Sequence, residues 1–359
     1  MKIIINLFSI NLITQLMLFF YLSSCSNKIS KNIEIDSELL GISDLIIGNP
    51  LQIGIVSNFF LIKSAGNDTW FTLINLEDPK NLNFKTGYVG QGPGEIGSPG
   101  QFLIFKNKFS VLNSSNKQLI TFHLDSIFNI DKYIPKGEPV SLKFRAISNM
   151  VNLDNSHYVI NEVSSEYRFT IVDSLGKDIF HFGEFPKEAL QTGFDPIYIS
   201  NVAYQSELTS NVNRSIIASA TRYGEYIEFT FIDLENKQAK LINRHMGQLP
   251  DYNNDNINGI PNFALNDKTI SGYLSITSND EFIYALYSGK IIRSPNSDAY
   301  ISNLVQVFNW EGDFLYQLEL DREVSKIVNN DKILYGLFET KSGFDIARFS
   351  TEKLGNEAK

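Results

Sequence analysis

Two kinds of hydrophobic segment run along the chain. One is a single apolar stretch over residues 3–21, diluted by Asn6, Asn11 and Gln15. The other begins past residue 33, as short alternating or continuous apolar runs broken by Gly, Asn, Asp and Pro clusters. No long helical period survives there, so the pattern predicts an all-β protein. Similar runs begin near Phe59 (FFLIK), Phe109 (FSVLN), Tyr158 (YVINE), Ile216 (IIASA), Ile283 (IYALY) and Leu334 (LYGLF). They recur roughly every 50 residues, with two longer intervals that absorb loops, which is the spacing of four-stranded propeller blades. Each run is expected to be the inner strand of its blade.

Turn chemistry sets the register of this repeat. Gly90-Gln91-Gly92-Pro93, Gly183-Glu184-Phe185-Pro186 and Gly247-Gln248-Leu249-Pro250 share one form, and Gly137-Glu138-Pro139 is a shortened relative. Glycine permits positive φ and proline removes a ladder donor, so each should end an outer strand. Asp173-Ser174-Leu175-Gly176, Asp233-Leu234-Glu235-Asn236 and Trp310-Glu311-Gly312-Asp313 read as hairpin turns just before outer strands. The last unit has three strands, near residues 324–328, 333–338 and 344–349. Residues 33–39 are expected to supply the fourth and so close the ring without an open edge. The Asn- and Asp-rich stretch 248–271 reads as an ordered insertion over one face, a frequent site of binding elements.

The apolar N-terminus follows Met1-Lys2 and ends in Leu22-Ser23-Ser24-Cys25, the shape of a secretory signal. That ending resembles a lipobox, in which the cysteine thiol receives a diacylglycerol. Cys25 is the only cysteine, so a lipidated chain would reach an oxidising compartment with no free thiol. Residues 1–24 are thus expected to be a lipoprotein signal peptide, 25–33 a polar tether and 34–355 the propeller. The tether begins Ser26-Asn27-Lys28-Ile29 and meets its first acid at Glu34. In this it resembles Gram-negative lipoproteins that lack the acidic export signal after the cysteine, a resemblance that implies the periplasmic side of an outer membrane, with surface exposure as the alternative.

Composition agrees with a globular β protein: 43% hydrophobic, with 27 Phe and 16 Tyr suited to half-buried strands. The net charge of −9 without a basic stripe argues against nucleic acid as a partner.

Gly90-Gln91-Gly92-Pro93-Gly94-Glu95, after the strand at 85–89, resembles the Gly-x-Gly-Pro-Gly-Glu signature of the TolB-like six-bladed propeller family. Gly272-Tyr273-Leu274, residues 282–290 (FIYALYSGK), Val307-Phe308-Asn309-Trp310-Glu311-Gly312 and Leu318-Glu319-Leu320-Asp321-Arg322 are similar to other strands of that family. The resemblance runs over about residues 34–350. It implies the fold and a lipoprotein of Bacteroidetes; it implies no activity, because fold alone does not carry one.

Catalytic motifs are sparse. The glycine-rich loop 90–100 lacks the Lys-Ser/Thr ending of a P-loop and no helix follows, so it reads as a turn between blades. His123, His157, His181 and His245 lie in separate units without ligand spacing, which points to structural roles. No Gly-x-Ser-x-Gly is present. Asp, Asn and Glu are plentiful, and oxygen ligands drawn from several blades leave no contiguous signature. A divalent-cation-dependent hydrolase or lyase in the channel, with Ca2+, therefore stands as the alternative; otherwise no cofactor is expected. The leading expectation is a non-catalytic binding module working as a monomer. Its partner would be an envelope protein, a peptide or a glycan, and it would meet the membrane only through the lipid. A regulatory sensor contacting an envelope partner is a third reading. Arg145, Arg222, Tyr223, Lys290, Arg293 and Tyr300, all on connecting segments, are the candidate ligand-binding residues, since arginine beside aromatic faces suits carboxylated or sugar-like ligands.

Overall fold

The computed structural model describes residues 32–352, apart from 45–47, 131–132, 136, 140–146, 163–165, 187–195, 258–259 and 296–297. The expected signal peptide, Cys25 and the candidate Arg145 lie outside the described residues.

Two short strands come first, β1 (Asn32–Ile35) and β2 (Ser37–Leu39). Blade 1 is β3 (Asn49–Val56), β4 (Phe59–Ala65), β5 (Thr69–Asn75) and β6 (Asn83–Tyr88). Blade 2 is β7 (Pro99–Phe105), β8 (Lys108–Asn113), β9 (Gln118–His123) and, after helix α1 (Leu124–Asn129), β10 (Gly137–Pro139). Blade 3 is β11 (Ile147–Asn152), β12 (His157–Glu162), β13 (Phe169–Asp173) and β14 (Asp178–Phe182). Helix α2 (Pro196–Ala203) leads to blade 4: β15 (Ser206–Asn211), β16 (Ile216–Thr221), β17 (Tyr226–Asp233) and β18 (Gln238–Met246). A hairpin, β19 (Asn253–Ile257) and β20 (Ile260–Ala264), precedes blade 5, which is β21 (Tyr273–Ser278), β22 (Phe282–Tyr287), β23 (Ser302–Asn309) and β24 (Phe314–Val324). Blade 6 is β25 (Lys326–Asn330), β26 (Ile333–Thr340) and β27 (Gly343–Ser350).

Each blade is an antiparallel sheet in chain order from the axis outward, and each innermost strand packs beside the next around a closed ring. The fold is an all-β six-bladed propeller.

Three expectations need correction. The apolar runs that begin near Phe59, Phe109 and their counterparts are the second strands, not the innermost ones. A second strand has a neighbouring blade packed on each face, so almost every position is buried, as in β4 and β16. The innermost strands border the channel and keep polar positions, so their hydrophobic signal is weaker. Next, Gly137-Glu138-Pro139 does not follow an outer strand; it is the outer strand of blade 2, paired with β9. Finally, residues 33–39 divide. Only β2 completes blade 6, antiparallel to β27, while β1 adds to blade 5 as a fifth strand, parallel to β24. Pairing starts at Asn32, inside the stretch expected as tether. Between the two strands Ser37 Oγ donates to Asp321 at 2.9 Å and accepts from Arg322 Nε at 2.9 Å. The N-terminus therefore staples two blades.

The core lies between blades rather than at the axis. Between blades 1 and 2, Phe109 stacks on Phe122 with centroids 4.8 Å apart, and Phe71 meets both rings edge-on. All three are fully buried, and each contributes about 1.5–3 kcal/mol of apolar burial.

Candidate functional site

Because each blade runs from the axis outward by hairpins, an outer strand ends on the face where its inner strand began. Connections to the next blade, and turns from second to third strands, therefore share one face, here termed the upper face. The turns at 173–176, 233–236 and 310–313 join third to fourth strands, as expected, and lie on the lower face.

All six inner strands line a central cavity of about 430 Å3. They belong to separate sheets, so polar side chains bridge them in place of backbone ladders. Gln52 spans to blade 2, accepting from Phe102 N at 2.8 Å and donating to Phe102 O at 3.1 Å. Asn152 donates to Ile104 O at 2.9 Å, and Ser210 to Asn152 O at 2.6 Å. Ser275 donates to Ile327 O at 3.1 Å. Buried polar groups in a low-dielectric ring hold register only when satisfied, and these are.

Charge gathers at the upper mouth. Arg222 Nε donates to Glu207 Oε1 at 2.8 Å, with Nη2 at 2.7 Å from the same oxygen. Asn149 Nδ2 donates to Glu207 Oε2 at 3.0 Å. Lys63, opposite Gln52 in the blade 1 ladder, donates to Gly100 O at 2.8 Å. Burial and the nearby Lys326 lower its ammonium to about 8, against the pull of Glu207. Lys326, half-buried at the start of β25, is lowered too, first by burial and then by Arg222, with Glu207 opposing. Lys63, Lys326, Glu207 and Asn149 were not among the residues singled out from sequence. A Lys inside an otherwise apolar strand, as in FFLIK, was the one visible signal for Lys63.

Of the residues that were singled out, Arg222 lines the channel, and Tyr223, Lys290, Arg293 and Tyr300 lie on connections of the same face. Tyr223, next to Arg222, has its ring 5.1 Å from that of Phe263 on β20, which in turn lies 5.2 Å from buried Tyr252. Burial, then the Tyr300 hydroxyl, raise the Tyr223 phenol, with Arg222 opposing. Within the stretch 248–271 the described residues include the hairpin of β19 and β20 on the upper face, tied to the ring by Glu225 N to Gln248 O at 2.6 Å and Ser271 N to Lys290 O at 2.9 Å. Tyr300 is 61% exposed and Arg293 is exposed. Lys290 stands apart in role: its Nζ donates to Glu323 Oε1 at 2.6 Å and Ile301 O at 3.0 Å, which closes its own loop.

The loop 90–100 joins blades 1 and 2. Glu95 Oε2 accepts Gly92 N at 2.9 Å, and a Cβ on Gly90 would stand 1.9 Å from that oxygen. Gly94 has φ +77°, and its Cβ would meet Ile134 Cγ2 at 2.1 Å. The glycines and the glutamate are one packed turn, with its amide spent internally rather than on a phosphate. Residues 28–332 match the family described as TolB-like 6-blade propeller-like. The chain belongs to that family.

Two solved structures share the TolB-like ring. A Bacteroides fragilis protein, provisionally described as exported, aligns with TM-score 0.52 at 10% identity, over 89% of this chain and 99% of its own. A DUF4221 family member from Bacteroides vulgatus aligns with TM-score 0.52 at 10% identity, over 90% of this chain and 96% of its own. Identities this low speak for the fold alone. No curated protein matches the chain.

In this TolB-like chain the histidines sit apart. His157 Nδ1 lies 2.8 Å from Asp154 Oδ2, His181 Nδ1 2.8 Å from Thr170 Oγ1, and His245 Nε2 3.4 Å from Glu225 Oε1. Among the described residues, no three His, Cys, Asp or Glu side chains are placed to share a metal ion. The cation-dependent alternative thus gains no donor set from them.

Proposed function

We propose that the chain is a lipid-anchored binding module of the cell envelope that takes its ligand on the upper face of the ring. One observation carries this reading: the open channel mouth, the Tyr223–Phe263–Tyr252 aromatic shelf and the inserted hairpin all share that face. Ligand sites are concave, with aromatic and apolar walls and a few placed polar groups that fix orientation; here the channel supplies the polar groups and the shelf the aromatic wall. The Leu22-Ser23-Ser24-Cys25 ending supports export and anchoring, and the Bacteroides fragilis neighbour is itself described as exported. The tether sequence favours the periplasmic side of the outer membrane. An envelope protein, a peptide or a glycan is the partner class.

The face is tested with spin labels. Replacing Cys25 by Ala leaves the chain without cysteine, so Tyr300→Cys and Leu175→Cys each give one label, on the upper and lower face. Glycan and peptide panels observed by NMR should show bound-ligand broadening from position 300 and not from 175. Equal broadening from both, or no ligand at all, overturns the reading. The Cys25→Ala change should also shift the chain from the membrane to the soluble fraction.

A further inference from the structure

At the upper mouth, donors outnumber acceptors. Among the described residues three cations, Lys63, Arg222 and Lys326, stand near one carboxylate, Glu207. Arg222 and Glu207 satisfy each other, and Asn149 occupies the second carboxylate oxygen. The two lysines feel the Glu207 charge but are not bonded to it, and among the described residues no second carboxylate stands with them. Lys63 has only the Gly100 carbonyl, a dipole, and Lys326 has no hydrogen bond or ion pair among the described residues. Gln101, also lining the cavity, accepts Met150 N through Oε1 at 3.3 Å and leaves Nε2 unspent among those residues. Arg222 leaves Nη1 unspent in the same sense. One buried and one half-buried ammonium group are costly to hold near each other unless an anion pairs with them. They stand out further because the chain as a whole is acidic, at −9.

We propose that the channel mouth binds a small divalent anion, a dicarboxylate or a phosphate or sulfate group, against Lys326, with Arg222 and Gln101 lining the same cavity as further donors and buried Lys63 behind them as a second positive charge. This rests on the reading of the upper face as the binding face, and names its ligand class. Two uncompensated positive charges call for two negative ones, and about 430 Å3 accepts a small molecule. Charge-assisted hydrogen bonds in this shielded setting are stronger than neutral ones, so the selectivity is for charge before shape.

The test is titration calorimetry on the full chain in detergent micelles, at pH 7 and low salt, with succinate, inorganic phosphate, sulfate and glucose as probes. Dianions should bind and glucose should not. Lys326→Gln and Lys63→Gln should each weaken the dianion at least tenfold, Lys326→Arg should keep binding, and Lys332→Gln, in the exposed lower-face turn between β25 and β26, should leave it unchanged. Glu207→Gln should not weaken it. The relative strengths of succinate, phosphate and sulfate separate carboxylate from phosphate and sulfate chemistry. Dianion binding that survives both lysine-to-glutamine changes overturns the proposal. Binding of neutral glycans or peptides near position 300, with no dianion bound, overturns the ligand class and leaves the face standing. If neither dianions nor the panels bind, both readings fall.

Discussion

Nη2 of Arg222 lies 2.7 Å from Oε1 of Glu207, joining the turn after β16 to the inner strand β15 at the channel mouth. This pair fixes Glu207, the one carboxylate of the mouth cluster among the described residues, which the lysines opposite feel through space without bonding to it. Replacing Arg222 by Met should cost about 1 kcal/mol in urea unfolding, since the pair is only partly shielded from solvent. A loss above about 3 kcal/mol would mean that the pair carries the ring itself.

Blades 3 and 4 are joined by a charge pair of a different kind. Arg168 is fully buried, bonded to Glu228, and ringed by Phe169 and Tyr226 at 4.9 and 5.2 Å. Tyr226 donates to the same carboxylate, and its phenol is pushed up to about 12, first by burial and then by Glu228. Arg168→Met alone should cost about 3–5 kcal/mol, because it strands a carboxylate away from solvent. Arg168→Met with Glu228→Met should recover most of that loss. Denaturation of both variants checks the pair.

Ring closure divides into two measurable parts. Removing residues 1–35 deletes β1, with its half-buried Ile33 and Ile35, and should lower stability by about 2 kcal/mol. Removing residues 1–39 also opens the edge of β27; this should cost at least about 4 kcal/mol and promote aggregation. Equal melting of the two truncations and the parent would exclude closure by the N-terminus.

Lys63 predicts a pH dependence. Folded, it titrates near 8; unfolded, near its ordinary 10.5. Between these values the unfolded chain binds more protons, so this group's contribution to stability rises with pH across the window. Below about 8 both states are protonated and the burial penalty is present in full. The charged groups facing it are Lys326 and Glu207. The difference in unfolding free energy between the parent and Lys63→Met should move by about 3 kcal/mol in the parent's favour from pH 7.5 to 10.5. A flat difference would show that Lys63 is solvated.

Much of the fold was legible because its causes are local. The turns at 173–176 and 233–236 and the Gly90–Glu95 turn follow from residues that bond within their own loops. The candidate site was legible only in part. Arg222 lines the channel while Tyr223 and Tyr300 lie on the same face outside it, and nothing near Lys326 in the chain marks it as a neighbour of Arg222.

The sequence by itself determined the repeat, the strand content, the turns and the family, since alternation and turn residues act over a few positions. Only the tertiary structure decided which strand of each repeat borders the axis, how residues 32–39 divide between two blades, and that Lys63, Glu207, Arg222 and Lys326 share one mouth. Those outcomes depend on how six separate sheets pack around a ring. Burial on both faces makes the second strand the most apolar, and closure sets side chains from distant blades against one another.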